Sequence, residues 1–273
     1  MIGQTALRKT FETKWNEQTL PHTILLVGPK GSGKKTLLRK LFDGIYLENN
    51  KIESVRKMIE LANKVSSRVF ILPDIDTMSI SGKQALLKVI EDCPNNNYFI
   101  MTITDKSNVT GTIRSRSVIY KMSVYTPDEI SQYIADNFPA DEKKIKFITT
   151  VAETPGEVNE LWSYDIDAFQ QFAMSVFDSI EKASGANVFK IATKLSTKED
   201  DGKWDIALFL KVFSNLCLHA VTSTEGEINS EDLIKYGRGC TITSKYIQQT
   251  RLATVNKQFL IDSWILEIRR AWM

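Results

Sequence analysis

Thr23-Ile24-Leu25-Leu26-Val27-Gly28-Pro29-Lys30-Gly31-Ser32-Gly33-Lys34-Lys35 is the stretch on which the fold turns. Its first five residues are almost wholly apolar, the pattern of a strand buried on both faces of a parallel sheet. A glycine-rich turn follows, and Lys34 to Phe42 has the composition of a helix. Strand, glycine loop, lysine and helix in that order form a phosphate-binding loop. Backbone N–H groups wrap phosphate oxygens, the helix adds its positive end, and Lys34 reaches the terminal phosphates. The candidate nucleotide-binding residues are Gly28, Lys30, Gly31, Ser32, Gly33, Lys34, Lys35 and Thr36.

The eighth loop position normally carries Ser or Thr, whose hydroxyl ligates Mg²⁺. Here it is Lys35, which has no acceptor, and Thr36 falls one residue late. Phosphate binding survives this change on paper, because an ammonium itself neutralises phosphate; magnesium-dependent hydrolysis does not.

Outward from the loop, Gln4 to Gln18 and Lys51 to Val65 show helical spacing of apolar residues. Val69-Phe70-Ile71-Leu72 is a second buried strand, stopped by Pro73. Ser81 to Ile90 reads as a helix, Tyr98 to Ile103 as a third strand and Val118 to Val124 as a fourth, while Gly44 to Lys51 reads as a short loop. Strands alternating with helices imply an α/β domain with a parallel sheet over residues 1–125. From the helix start at Thr126-Pro127 onward only helices are expected, at 127–137, 141–152, 155–162, 166–183, 186–196, 204–222, 229–236, 243–252 and 255–271. The fold class is α/β plus all-α, with a boundary in the helical half near Asp165.

The second strand should end in an acidic pair, one carboxylate for the metal and one to polarise water. Pro73 stands at the metal position and Asp74 at the catalytic one, with Asp76 two residues on. Two metal contacts are lost at one site, so these three positions read as a degenerate remnant.

Composition narrows the remaining choices. The 273 residues are 42% hydrophobic and 25% charged, enough apolar material to exclude a disordered chain. No window approaches a membrane span and the first residues lack the apolar core of a signal peptide, so a cytoplasmic protein is expected. Three dispersed cysteines and two histidines leave little from which to build a metal site, a disulfide framework or a nucleophilic triad. The net charge of +2 conceals a front of +8 over residues 1–125 and a back of −6 over 126–273. This split suggests phosphate contact in front and protein contact behind.

Several motifs together resemble bacterial clamp-loader subunits of the AAA+ family. They are Ile2-Gly3-Gln4, Leu20-Pro21-His22, the loop itself, Asp74-Ile75-Asp76-Thr77-Met78, Gln84-Ala85-Leu86-Leu87-Lys88 and Glu91-Asp92-Cys93-Pro94. Thr112-Ile113-Arg114-Ser115-Arg116-Ser117 is similar to the Ser-Arg-Cys motif, with Ser117 in place of cysteine. Among these subunits the chain looks most like the delta-prime type, which commonly carries a basic residue after the loop lysine. Thr154-Pro155-Gly156-Glu157 resembles the turn of the helical lid, and Asn256 to Trp272 the last collar helix.

The resemblance implies an AAA+ RecA-like core (1–125), a helical lid (126–165) and a helical collar for oligomerisation (166–273). It also implies a hetero-pentamer of clamp-loader subunits acting on a sliding clamp and primed DNA within a DNA polymerase III holoenzyme. ATP or ADP would bind weakly, with Thr104 at the sensor-1 position and no arginine at sensor 2. Arg116 would be an arginine finger completing a neighbour's ATP site. The family's four-cysteine zinc module is absent from Gly44 to Lys51, so zinc is not expected and a reduced or phage-type version is implied.

The alternatives are an active AAA+ motor subunit and, from another class, a P-loop kinase of small metabolites. The kinase should have an arginine-rich substrate lid, which the acidic helical half does not offer. Basic residues Arg8, Lys9 and Lys14, with Lys51, Arg56, Lys57 and Lys64, suit either DNA phosphates or solvated helix faces. The aromatic residues of the last domain, Phe169, Phe172, Phe177, Phe189, Trp204, Phe209, Phe213 and Trp264, read as core rather than base-stacking platforms. His219 is expected to be buried or half-buried in its helix.

Overall fold

The computed structural model describes residues 3–106, 109–182, 205–222, 230–250 and 256–272. The expected helix at 186–196, Phe189 and Trp204 lie outside these residues. The described chain forms two compact units, residues 1–139 with 153–156 and residues 140–152 with 157–273.

The first unit is built on a five-stranded, all-parallel sheet of β1 (Thr23–Val27), β2 (Gly44–Tyr46), β3 (Val69–Leu72), β4 (Tyr98–Ile103) and β5 (Val118–Lys121), in the spatial order β2-β3-β4-β1-β5. Alternation along the strands divides the core. Leu25, Phe70, Leu72, Phe99 and Met101 join Val55 and Met58 of α3 (Ile52–Ala62) and Leu86, Val89 and Ile90 of α4 (Ile80–Asp92) in one cluster. Ile24, Leu26, Val69, Ile71 and Ile100 join Phe11 of α1 (Thr5–Asn16) and Leu37 and Leu38 of α2 (Lys34–Leu41) in another. Helices therefore cover both faces, which is why the central strands are apolar at nearly every position. Each large side chain so buried contributes about 1.5–3 kcal/mol.

β2 corrects the expected loop at Gly44 to Lys51. Three residues with only half-buried side chains carry too little periodicity to show in sequence, yet they pair in parallel with Val69 to Ile71. β5 ends at Lys121 rather than Val124. The side chain of Gln4 takes over the backbone of Ser123, its amide donating to Ser123 O at 2.8 Å and its carbonyl accepting from Ser123 N at 2.7 Å. A short helix α5 (Gly111–Ser115) leads into β5. The helix start at Thr126 is as read, a capping box with Glu129 and Pro127 in the first turn of α6 (Pro127–Asn137).

The second unit is helical: α7 (Glu142–Val151), most of α8 (Pro155–Trp162), α9 (Ile166–Lys182), α10 (Ile206–Thr222), α11 (Ser230–Gln249) and α12 (Lys257–Trp272). The expected lid is thus shared, α6 belonging to the first unit and α7 to the second. Trp264 is fully buried against Phe209 and Phe213, edge-on at 5.8 and 4.7 Å, and its ring N–H donates to Thr243 at 3.1 Å.

Two expectations for this half change. Residues 229–236 and 243–252 were expected as two helices, but 230–249 form one continuous helix that Gly237 and Gly239 do not break; Gly239 lies against the Trp272 ring, where a Cβ would come within 3.1 Å. His219 is exposed, since Phe213 and Cys217 set the inward stripe of α10 and residue 219 falls on the other side. Phe259 and Leu266 are exposed on α12, whose inner face is Leu260, Ile261, Trp264, Ile265 and Ile268.

Candidate phosphate-binding site

The loop sits at the carboxyl end of β1, where the strand order switches between β4 and β5, the usual ligand position in such sheets. Gly33 has φ 82°, a left-handed conformation that glycine adopts without a Cβ penalty, and it starts α2 at Lys34. The first-turn N–H groups of α2 have no intrahelical partners and face the loop's concavity.

Lys34 is buried, and its ammonium donates to the carbonyls of Gly28 at 2.7 Å and Pro29 at 2.9 Å. Burial pushes its pKa below the usual lysine value, and Asp74 and Asp76 oppose that shift. Tyr125 OH donates to Ser32 O at 2.8 Å, holding the loop from one side. Residues 153–156 hold it from another. Gly156 N donates to Gly31 O at 3.0 Å, and Thr154 Oγ1 to Lys30 O at 3.3 Å. The Gly31 and Gly156 backbones touch so closely that a Cβ on Gly156 would lie 2.3 Å from Gly31 Cα.

Lys35 Nζ lies 2.7 Å from Asp74 Oδ2. Asp74 itself is left-handed at φ 52°, and its N–H donates to Thr102 Oγ1 at 2.9 Å. Pro73 precedes it with no carboxylate. Asp76 accepts the Thr104 N–H at 2.9 Å through Oδ2, while its Oδ1 is buried without a partner. These residues do not fit Mg²⁺: a cationic side chain already occupies the carboxylate a metal would use, and the loop's hydroxyl ligand is replaced by that same lysine. Among the described residues no group of three or more His, Cys, Asp or Glu is placed to hold a metal ion. Lys30 in the loop is exposed, and so are Lys35 and Thr36 in the first turn of α2.

Thr104 contributes its backbone N–H, whereas the hydroxyl beside Asp74 belongs to Thr102. The sequence signal for Thr102 is a lone hydroxyl inside the otherwise apolar run Phe99 to Ile103; a buried polar group in a central strand needs a partner. Arg116, at the end of α5, meets Glu91 near the end of α4. Its Nε lies 3.0 Å from Oε2, Nη2 donates to Oε1 at 3.3 Å, and Nη1 donates to Thr112 O at 3.3 Å. Both side chains are exposed enough for solvent to screen the pair. Sequence reasoning misses Glu91 as the partner, because nothing local joins positions 25 residues apart.

Residues 43–126 match the family model of the DNA polymerase III delta subunit. DNA polymerase III subunit gamma of Buchnera aphidicola is 24% identical over 195 residues, covering 56% of this chain and 53% of that protein. The chain is thus similar in sequence, over about half its length, to DNA polymerase III gamma and replication factor C small subunits. The replication factor C small subunit of Methanosphaera stadtmanae is 25% identical over 219 residues, 71% of this chain and 68% of that one. The matched region spans about half the length of the first of these relatives. The RuvB Holliday junction branch migration motor of Thermotoga maritima superposes with a TM-score of 0.50 at 16% identity, covering 96% of this chain and 88% of that one. That likeness supports the fold, an AAA+ core followed by helices. No helix among the described residues is long and apolar enough to cross a membrane.

Proposed function

We propose that this chain is a delta-prime-like stator of a clamp loader, a subunit that helps an ATP-driven AAA+ ring place a sliding clamp on primed DNA while hydrolysing little ATP itself. The observation that carries this reading is the 2.7 Å ion pair between Lys35 and Asp74. It puts a fixed ammonium where a motor subunit needs a hydroxyl, a metal ion and a free carboxylate. Pro73 removes the remaining acidic ligand.

In this reading the subunit sits in a hetero-pentamer and gives Arg116 to the ATP site of an adjacent motor subunit. A guanidinium against the γ-phosphate stabilises the charge of phosphoryl transfer, an effect worth ~10³–10⁵ in rate in related NTPases. Glu91 holds Arg116 until the neighbour's phosphate competes for it. The helical second unit supplies the assembly surface.

The experiment is reconstitution of the mixed complex with Arg116→Ala. The reading expects normal assembly with a large loss of the complex's ATP turnover; unchanged turnover would remove the trans role. The alternative, an active motor subunit, draws on the intact loop and Lys34, and it requires the isolated chain to turn over ATP.

A further inference from the structure

Cys217 on α10 and Cys240 on α11 meet where these two helices pack in the helical unit. Two distances place them side by side. Cys240 Sγ donates to Ser214 O at 3.5 Å, and Ser214 lies one turn before Cys217 on α10. Gly239, the neighbour of Cys240, is so near α10 that a Cβ there would come 3.2 Å from Cys217 Sγ. The two thiols are hydrogen-bonded to each other. Glycine at 239 thus lets the helices draw together at the level of the sulfurs. A disulfide needs such an approach, its Cα atoms standing about 4.4–6.8 Å apart.

The two sulfurs are chemically unequal. Cys217 is fully buried, whereas Cys240 is half-buried and open to a small reagent. The hydrogen bond from Cys217 outweighs burial at Cys240 and, with a weaker one from the Ser214 side chain, pushes its pKa down to about 6. The same bond, together with burial, pushes the Cys217 thiol up. The thiolate is the nucleophilic form, so the more accessible sulfur is also the more reactive one. A second thiol beside it is what converts a first oxidation product into a disulfide.

We infer that Cys217 and Cys240 are a peroxide-oxidisable pair, Cys240 attacking and Cys217 resolving, that closes to a disulfide between α10 and α11. The Cys240 thiolate attacks one oxygen of hydrogen peroxide: an S–O bond forms, the O–O bond breaks, and the other oxygen leaves as hydroxide, taking a proton from solvent. The Cys217 sulfur then attacks the sulfenic sulfur. The S–S bond forms as the S–O bond breaks, and the hydroxyl leaves with the Cys217 proton as water. The two sulfurs lose two electrons and the peroxide gains them. Neither the phosphate loop nor Arg116 takes part, so the pair stands whether or not the chain is a stator.

The test is mass spectrometry of the full chain, pre-reduced and dilute, after hydrogen peroxide at neutral pH and alkylation of the remaining thiols in denaturant. The expected product is a monomer lighter by two hydrogens that takes up one alkyl group instead of three, with a peptide joined through Cys217 and Cys240. Dithiothreitol should restore all three thiols. Cys93, whose thiol donates to Ile90 O at 3.3 Å and meets Thr23 Oγ1 at 3.2 Å, should carry the remaining alkyl group. Cys217→Ser should leave Cys240 as a sulfenic acid that dimedone captures, and Cys240→Ser should leave Cys217 a thiol after the same exposure. Both exchanges are small, and thermal melting checks that the variants fold. Three thiols still free after peroxide, a disulfide through Cys93 or between two chains, or oxidation of Cys217 in Cys240→Ser as fast as in the native chain would overturn the inference.

Discussion

Replacing Gly156 by alanine sets two effects of opposite sign against each other. Gly156 is the second residue of α8, and alanine in a helix is favoured over glycine by roughly 0.5–1 kcal/mol. Its Cβ, however, would lie 2.3 Å from Gly31 Cα, against an ordinary contact distance of 3.4–4 Å. The atom it meets is backbone, so no side chain can rotate away and the two segments must separate by more than about 1 Å, taken from the same distances. That separation stretches the 3.0 Å bond from Gly156 N to Gly31 O and the 3.3 Å bond from Thr154 Oγ1 to Lys30 O. Each is worth about 1 kcal/mol, and overpacking adds about 1–3 kcal/mol. The net expectation is a loss of about 2–4 kcal/mol, or several degrees in Tm at roughly 2–4 °C per kcal/mol. Gly237 is the internal control. It is exposed within α11, and a Cβ added there would meet nothing within 4 Å, so Gly237→Ala should raise Tm slightly. Thermal unfolding of the two variants beside the native chain reads both effects. A Gly156→Ala protein as stable as Gly237→Ala would refute the close approach of residue 156 to the phosphate loop.

Further expectations concern the rest of the chain. Lys211 is almost fully buried and bonds both oxygens of Glu157 at 2.8 and 2.9 Å, so Lys211→Met leaves the half-buried carboxylate without its ammonium and should cost about 1–3 kcal/mol in chemical denaturation. Asn97 is fully buried and bonds Arg68 N, Ala62 O and Val65 O through its side chain; Asn97→Ala should destabilise the first unit by about 2–4 kcal/mol, measured the same way. The Lys245 ammonium and the Tyr246 hydroxyl donate to Glu267 and hold its carboxyl below the usual range. A depressed carboxylate stabilises above its unfolded pKa and loses that contribution as pH falls through the folded one. Glu267→Gln should therefore lower Tm at neutral pH and converge with the native chain in acid.

How far the sequence carries depends on how local each cause is. The phosphate loop, the buried strands β1, β3 and β4, and the capped start of α6 follow from neighbouring residues and are legible there. The strand β2 is not, because an edge strand of three half-buried residues has no alternation to read. The two glycines of α11 look like a break, but one accommodates Trp272, which lies far along the chain. That the side chains of Lys35 and Pro73 offer no oxygen to a metal is visible from residue types alone. That Lys35 binds Asp74 directly, that Thr102 rather than Thr104 presents its hydroxyl there, and that Glu91 holds Arg116 all depend on tertiary placement.

If Lys35 stands in for the metal, the chain by itself hydrolyses little ATP. Steady-state ATP turnover by the isolated chain in magnesium, compared with a Lys35→Thr/Pro73→Asp variant, tests it most directly. Negligible turnover by the native chain and a clear gain in the variant are expected. Turnover by the native chain at motor-subunit rates, abolished by Lys34→Ala, would contradict it.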